Sequence, residues 1–142
     1  LAEVASFRAG FAAVSQAAAE AFNAAHPDAP GVYVQSWAGF SRLGRGGAEP
    51  DACRGEAPLV RGRGADRQRA SLAILAWLAG MNTPNDGVVP VASARWGRFR
   101  GCLPADHLDL LGLSPRVPDP VTGFDVRTFY RTLAFELARM GF

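Results

Sequence analysis

Hydrophobic side chains recur at a helical spacing in three parts of the chain. They predict a helix over about residues 5–25, with His26 in its final turn, and a second from about residue 67 to 78 that ends near Gly80. A closing helix is predicted over about residues 125–140 because its apolar side chains fall largely on one face, and Gly141 follows its end.

Two stretches have the composition of strands. Residues 32–37 are β-branched and aromatic, which predicts a buried strand, and residues 96–102 alternate large apolar with small or basic residues. Residues 38–66 are rich in Gly, Arg and Pro without a period and predict an exposed loop, while residues 82–87 are dense in turn formers. Helices alternating with strands predict an α/β fold.

Size and hydropathy indicate a soluble globular chain. Its 142 residues are 49% hydrophobic, enough for the core of one domain. The longest apolar run, residues 72–81, is about half of what a bilayer requires, so no transmembrane segment is predicted. The chain begins at Leu1 without a secretion signal, and we expect a mature, processed or fragmentary polypeptide.

The charge pattern argues against nucleic-acid binding. All 15 basic residues are Arg, but 13 acidic residues are interspersed and the net charge is only +2. Seven arginines lie between Arg42 and Arg69, with four acidic residues and no aromatic among them. A nucleic-acid surface needs a concentrated basic face with stacking side chains, so we expect no such partner.

Two cysteines leave two alternatives open. Cys53 and Cys102 would form one disulfide in an exported protein, or would be two free buried thiols.

Candidate chemistry lies in two short segments. Asp86 belongs to an Asn-Asp-Gly turn, and His107 lies in a loop after a predicted strand. An acid followed by a histidine is the order in which α/β-hydrolases present the last two members of a Ser-Asp-His triad. Alternatively, Asp86 is ordinary turn chemistry and His107 a surface residue. Asp106 and Asp109 flank the histidine as further hydrogen-bond partners or ligands of a hard cation.

Several segments in a shared order carry a resemblance to a known family. They are residues 19–27, 32–39, 85–89, 107–109, 119–121 and 138–142. Together they resemble the C-terminal half of the secreted true lipases of Pseudomonas and Burkholderia, calcium-dependent α/β-hydrolases that act on triacylglycerols. The resemblance covers most of the chain except residues 40–65.

The resemblance implies a fold, a site and a location. Residues 1–142 would be the C-terminal part of a single α/β-hydrolase domain, with an irregular excursion at about 40–65 and a sheet completed by a missing N-terminal half. Asp86 and His107 would be the triad acid and base. Asp109 matches a family calcium ligand, and Asp66 fits a second by spacing, with Asp51 as its rival. A bacterial protein that is secreted or periplasmic is expected.

The chain also departs from the family. It contains no Gly-x-Ser-x-Gly, and Gly39-Phe40-Ser41-Arg42 is not a nucleophile elbow, so a companion N-terminal fragment would supply the serine, or the chain is a truncation. Ala92 stands where the family has a disulfide cysteine.

We therefore predict a serine carboxylic-ester hydrolase of lipase or esterase type, acting on a lipid or other ester. A polyhydroxyalkanoate depolymerase on the same scaffold is one alternative. A non-catalytic hydrolase-like module that binds a partner or calcium is another.

Overall fold

The computed structural model describes residues 15–42, 50–56, 66–67 and 69–142. The chain divides into two units, Leu1–Tyr33 and Val34–Phe142, and the second contains the candidate site. No helix in the described residues is long and apolar enough to cross a membrane.

The first unit contains helix α1, Gln16–Ala25. It begins after Ser15, whose hydroxyl accepts a hydrogen bond from the amide of Ala18 at 3.3 Å. It ends at His26, whose amide donates to the carbonyl of Phe22 at 2.9 Å. The prediction of a helix is confirmed for this stretch, and its earlier part, residues 5–14, lies outside the described residues.

The second unit is built on a parallel strand pair. Strand β1, Gln35–Gly39, pairs in parallel with β4, Arg98–Leu103. A second parallel pair joins β2, Ser41–Arg42, to β3, Asp66–Arg67. Parallel neighbours bring their carboxyl ends to the same edge of the sheet, so the segments that follow β1 and β4 emerge together.

The first strand begins later than predicted. Residues 32–34 precede β1. The amide of Val32 is bonded to the carbonyl of Ala29, at 3.3 Å, in the preceding turn, while the carbonyl of Val34 already accepts from the amide of Arg98 at 2.9 Å. The exposed loop predicted over residues 38–66 is wrong in part, since β1 continues to Gly39. Among the residues of that stretch that the structure describes, the side chains of Ala38, Phe40, Ser41 and Cys53 are buried.

A disulfide joins Cys53 to Cys102, so the two cysteines are not free thiols. Cys53 ends a short 3-10 helix, Asp51–Cys53, and Cys102 lies in β4. Both lie in one buried cluster with Ala38, Phe40, Val91 and Phe99. The bond therefore ties the excursion to the strand that leads to His107.

The described part of the second unit also contains the helices α2, Ala70–Leu78; α3, Val91–Ala94; α4, His107–Leu110; and α5, Val126–Arg139. Helix α5 agrees with the predicted closing helix. Its Phe129 meets Trp37 of β1 edge to face, with ring centroids 5.4 Å apart. Phe129 belongs to a second buried cluster with Leu103, Ala105, Phe124 and Val126, which supports the chain on both sides of α4.

Candidate active site

The turn between α2 and α3 presents Asp86. Asn85 and Pro90 close it through an isolated antiparallel bridge. The Asn85 side chain accepts a hydrogen bond from the amide of Gly87 at 2.8 Å, and Gly87 has a φ of 97°, a conformation that favours glycine. The Asn-Asp-Gly sequence thus fixes the local geometry of the turn.

Asp86 is buried, and its two carboxylate oxygens have different partners. Its side chain is only 4% exposed. Oδ1 accepts hydrogen bonds from the amides of Val88 at 2.9 Å and Val89 at 2.7 Å. These bonds hold the carboxylate in one orientation and leave Oδ2 to face the imidazole of His107.

His107 is the first residue of α4 and is bonded twice to Asp86. Its Nδ1 lies 3.0 Å from Asp86 Oδ2, and its amide donates to the carbonyl of Asp86 at 3.0 Å. A carboxylate oxygen accepts from an N–H donor, so this contact favours the tautomer with its proton on Nδ1 and leaves Nε2 able to accept one. The side chain is 31% exposed, so the ring is supported on one side and open on another.

Gly39, at the end of β1, lets the acid come close to the sheet. A Cβ built on Gly39 would lie 2.8 Å from Cβ of Asp86 and 2.9 Å from the carbonyl oxygen of Ala105. It would also lie 2.7 Å from Cδ1 of Leu110. Cβ of Asp86 and the carbonyl oxygen of Ala105 belong to segments that hydrogen bonds hold in place. A residue larger than glycine must therefore displace the turn that carries Asp86 or the chain before α4.

Asp106 is the N-cap residue of helix α4. Its Oδ1 accepts from the amides of Leu108 and Asp109, both at 3.0 Å. In return the amide of Asp106 donates to Oδ2 of Asp109 at 3.3 Å, which completes a capping box. Since His107 lies between the two aspartates, this box sets the position of its backbone.

Arg69, the residue before α2, binds both aspartates. Its Nη1 forms an ion pair with Asp106, and its Nη2 lies 2.7 Å from Oδ1 of Asp109 and 3.0 Å from the hydroxyl of Ser114. Burial, with the nearby charge of Asp109, raises the pKa of Asp106 above its ordinary value, and Arg69 opposes that rise. Burial alone would lower the pKa of Arg69, but the two carboxylates raise it.

The residues around Asp109 do not fit a calcium ion. Both of its carboxylate oxygens are bonded within the protein, and Arg69 already brings a positive charge to them. Among the described residues, no three His, Cys, Asp or Glu side chains are grouped to hold a metal. The side chain of Asp66 lies outside the described residues, and Asp51 is exposed and paired with Arg54 at 2.9 Å.

The sequence did not point to Arg69. Its partners Asp106 and Asp109 are 37 and 40 positions away, and no local pattern links residues at such separations. The pattern Asp-x-x-Asp from Asp106 to Asp109 does match a capping box, and it was the available indication that a helix begins at His107.

Ser41, the serine in the segment compared with a nucleophile elbow, lies in strand β2 and is buried. An elbow serine needs a strand-to-helix turn that exposes its hydroxyl. The described geometry of Ser41 therefore differs from that of a nucleophile.

Comparison with known proteins places the chain near lipases. It is 36% identical over 70 residues to triacylglycerol lipase 2 of Saccharomyces cerevisiae, a match that covers 42% of this chain and 22% of the yeast protein. No protein-family model and no solved structure matches. The match supports a lipase-like hydrolase. The chain matches only about a fifth of the length of that relative.

Proposed function

We propose that this chain supplies the acid and the base of a Ser-His-Asp triad in a lipase-type carboxylic-ester hydrolase. The chain would form the C-terminal part of an α/β-hydrolase fold. The observation that carries the proposal is the 3.0 Å contact between Asp86 Oδ2 and His107 Nδ1, made by a buried carboxylate with a partly exposed imidazole. This is the relation between acid and base that a triad requires.

In this mechanism Asp86 holds the imidazole in one tautomer. His107 Nε2 takes the proton from the serine as the serine attacks the ester carbonyl, and later returns it to the leaving alcohol. Asp86 stays ionised and stabilises the imidazolium formed between these two steps.

The serine and the oxyanion donors would come from polypeptide outside these 142 residues. An exposed apolar face on α2 supports such a companion: Ile74 is 58%, Trp77 76% and Leu78 69% exposed. Large apolar side chains grouped in this way mark surfaces that another segment covers. The same segment would carry the Gly-x-Ser-x-Gly elbow that this chain lacks.

Two further observations support the proposed substrate and location. The partial similarity to a protein named as a triacylglycerol lipase supports a lipid ester as substrate. The disulfide between Cys53 and Cys102 supports export to an oxidising compartment, the periplasm or the medium. Calcium stays a prediction that chelation tests, and the bonds of Asp109 to Arg69 and Asp106 argue against Asp109 as its ligand.

Hydrolysis of emulsified triacylglycerol by the complete protein tests the proposal. We expect His107→Ala to lower kcat by at least about 10³-fold. His26→Ala is the matched control because His26 is the other histidine of the chain and is exposed. Near wild-type hydrolysis by His107→Ala would reject a catalytic role and favour the non-catalytic module.

A further inference from the structure

The start of helix α4, where His107 lies, depends on the carboxylates of Asp106 and Asp109. Asp106 is fully buried and Asp109 nearly so, at 0% and 5% exposure. The capping box needs both side chains, because each accepts a hydrogen bond from a backbone amide of the loop. Two like charges brought together out of water repel each other, so the box requires a positive charge beside it.

Arg69 brings that charge in a suitable shape. Its guanidinium meets Asp106 through Nη1 and Asp109 through Nη2, so one planar group spans both carboxylates. The other oxygen of Asp106, Oδ2, is buried and has no hydrogen-bond partner among the described residues. The charge of Asp106 is therefore compensated by Arg69 and by the backbone amides at the start of α4.

The same guanidinium also reaches past the helix. Nη2 donates to the hydroxyl of Ser114 at 3.0 Å, and Ser114 lies in the segment after α4. Arg69 itself immediately precedes α2, and its carbonyl accepts from the amide of Ala73 at 2.9 Å. One side chain thus joins the start of α2 to both ends of the short helix that bears His107.

We propose that Arg69 is the positioning residue of the base: its guanidinium, rather than a metal ion, braces Asp106 and Asp109 and so keeps His107 against Asp86. The part of this inference that concerns catalysis rests on the proposed function. The brace itself is a property of the fold. A metal bound at Asp109 would have to displace the guanidinium from the same oxygen.

The first test compares Arg69→Gln with wild type in the complete protein. We expect kcat to fall about 10- to 100-fold with KM within about threefold, because a misplaced base impairs proton transfer more than binding. The matched control is Arg131→Gln, at an exposed position of α5, which removes a charge without touching the loop. Equal kcat values for wild type and Arg69→Gln would overturn the proposal.

Two readouts do not depend on catalysis. The downfield NMR resonance of the His107 Nδ1 proton, identified by its absence in His107→Ala, should broaden or vanish in Arg69→Gln and persist in Arg131→Gln. EDTA should leave the melting temperature of wild type unchanged. An unchanged resonance in Arg69→Gln, or a melting temperature that EDTA lowers and calcium restores, would contradict the brace.

Arg69→Lys covers the case in which Arg69→Gln does not fold. Lysine keeps the charge but cannot donate in a fork to both carboxylates. We expect a kcat loss of about threefold to tenfold and a broadened Nδ1 resonance. A wild-type kcat together with a wild-type resonance would overturn the proposal here too. If His107→Ala is inactive and the Arg69 variants are fully active, the proposed function is supported and the role of Arg69 is rejected.

Discussion

Two buried aspartates lie beside His107 and serve it differently. Asp86, in the turn after α2, has one oxygen fixed by the amides of its own turn and the other directed at the imidazole. Asp106, immediately before the histidine, turns Oδ1 to the start of α4 and to Arg69. Local donors thus decide the role of each carboxylate: Asp86 orients a side chain and Asp106 orients a backbone.

The largest expected effect separates the two roles. Asp86→Asn keeps the size of the side chain but removes the charge that holds the Nδ1 tautomer. We expect kcat for ester hydrolysis to fall about 10⁴-fold with little change in melting temperature. Asp106→Asn, whose side chain still caps a helix, is the matched variant and should retain much more activity. Equal losses in the two variants would break the distinction.

The disulfide provides the next largest effect, on stability rather than on chemistry. It closes a loop of 49 residues. Chain entropy at that separation gives a stabilisation of about 4 kcal/mol, measured as the loss in the free energy of unfolding of Cys53→Ser/Cys102→Ser in urea. Because the disulfide lies in the buried cluster with Ala38, Phe40, Val91 and Phe99, which does not include Asp86 or His107, kcat below the melting temperature should stay within about threefold of wild type. A kcat loss as large as that of Asp86→Asn would mean that the bond, and not the two aspartates, positions the base.

Truncation of Asp106 tests how much its side chain contributes to stability. Asp106→Ala removes the helix cap and leaves Arg69 with one carboxylate partner. We expect a loss of roughly 3 kcal/mol in the free energy of unfolding, from the cap and the broken ion pair together. Urea denaturation measures it, and Asp51→Ala, at an exposed residue, is the control. A loss below that of the control would show that the box contributes nothing.

Gly39 tests how closely the acid turn must sit on the sheet. Gly39→Ala would place a methyl group within 3 Å of Asp86 and Ala105. We expect a cost of about 1–3 kcal/mol in the free energy of unfolding, with a fall in kcat because Asp86 moves. Gly80→Ala is the control for a site with open space, although its φ of 68° adds backbone strain of its own. Full activity in Gly39→Ala would show that the turn tolerates displacement.

The smallest expected effect is a pH dependence. Burial raises the pKa of Asp106 above its ordinary value of 3.8, so its favourable contribution to stability is complete below that value and is lost as pH rises through the folded-state pKa. Removing Arg69 raises that pKa further. Each tenfold change in the acid dissociation constant corresponds to about 1.4 kcal/mol. In urea denaturation, the free energy of unfolding of Arg69→Gln should therefore fall progressively below that of wild type from acid to neutral pH. A difference that does not change with pH would contradict this prediction.

The sequence predicted the elements that local patterns control. The helices α2 and α5, the strand β4 and the Asn-Asp-Gly turn follow from hydrophobic spacing and turn chemistry, and the structure has them with ends shifted by a few residues. The start of β1 was misplaced because the turn before it still holds the amide of Val32, a bond that composition does not reveal.

The site divides in the same way. Asp86 and His107 were found through their order and the resemblance of their surroundings, and the structure brings them into contact, while their catalytic role stays a prediction. Arg69 was missed because its partners are distant in sequence and become neighbours only when the fold brings the start of α2 to the start of α4. Asp109 was assigned to calcium from the resemblance, and that assignment stays a prediction. The sequence does not reveal that Arg69 is bonded to its carboxylate.

Labelling with diethyl p-nitrophenyl phosphate tests whether His107 activates a serine. This phosphate ester reacts with a serine that a neighbouring base activates, and the mass of the modified peptide identifies the residue. In the complete protein we predict one adduct, on a serine outside these 142 residues, absent in His107→Ala and present in His26→Ala. An adduct on a serine within these 142 residues, or equal labelling in His107→Ala, would contradict the account.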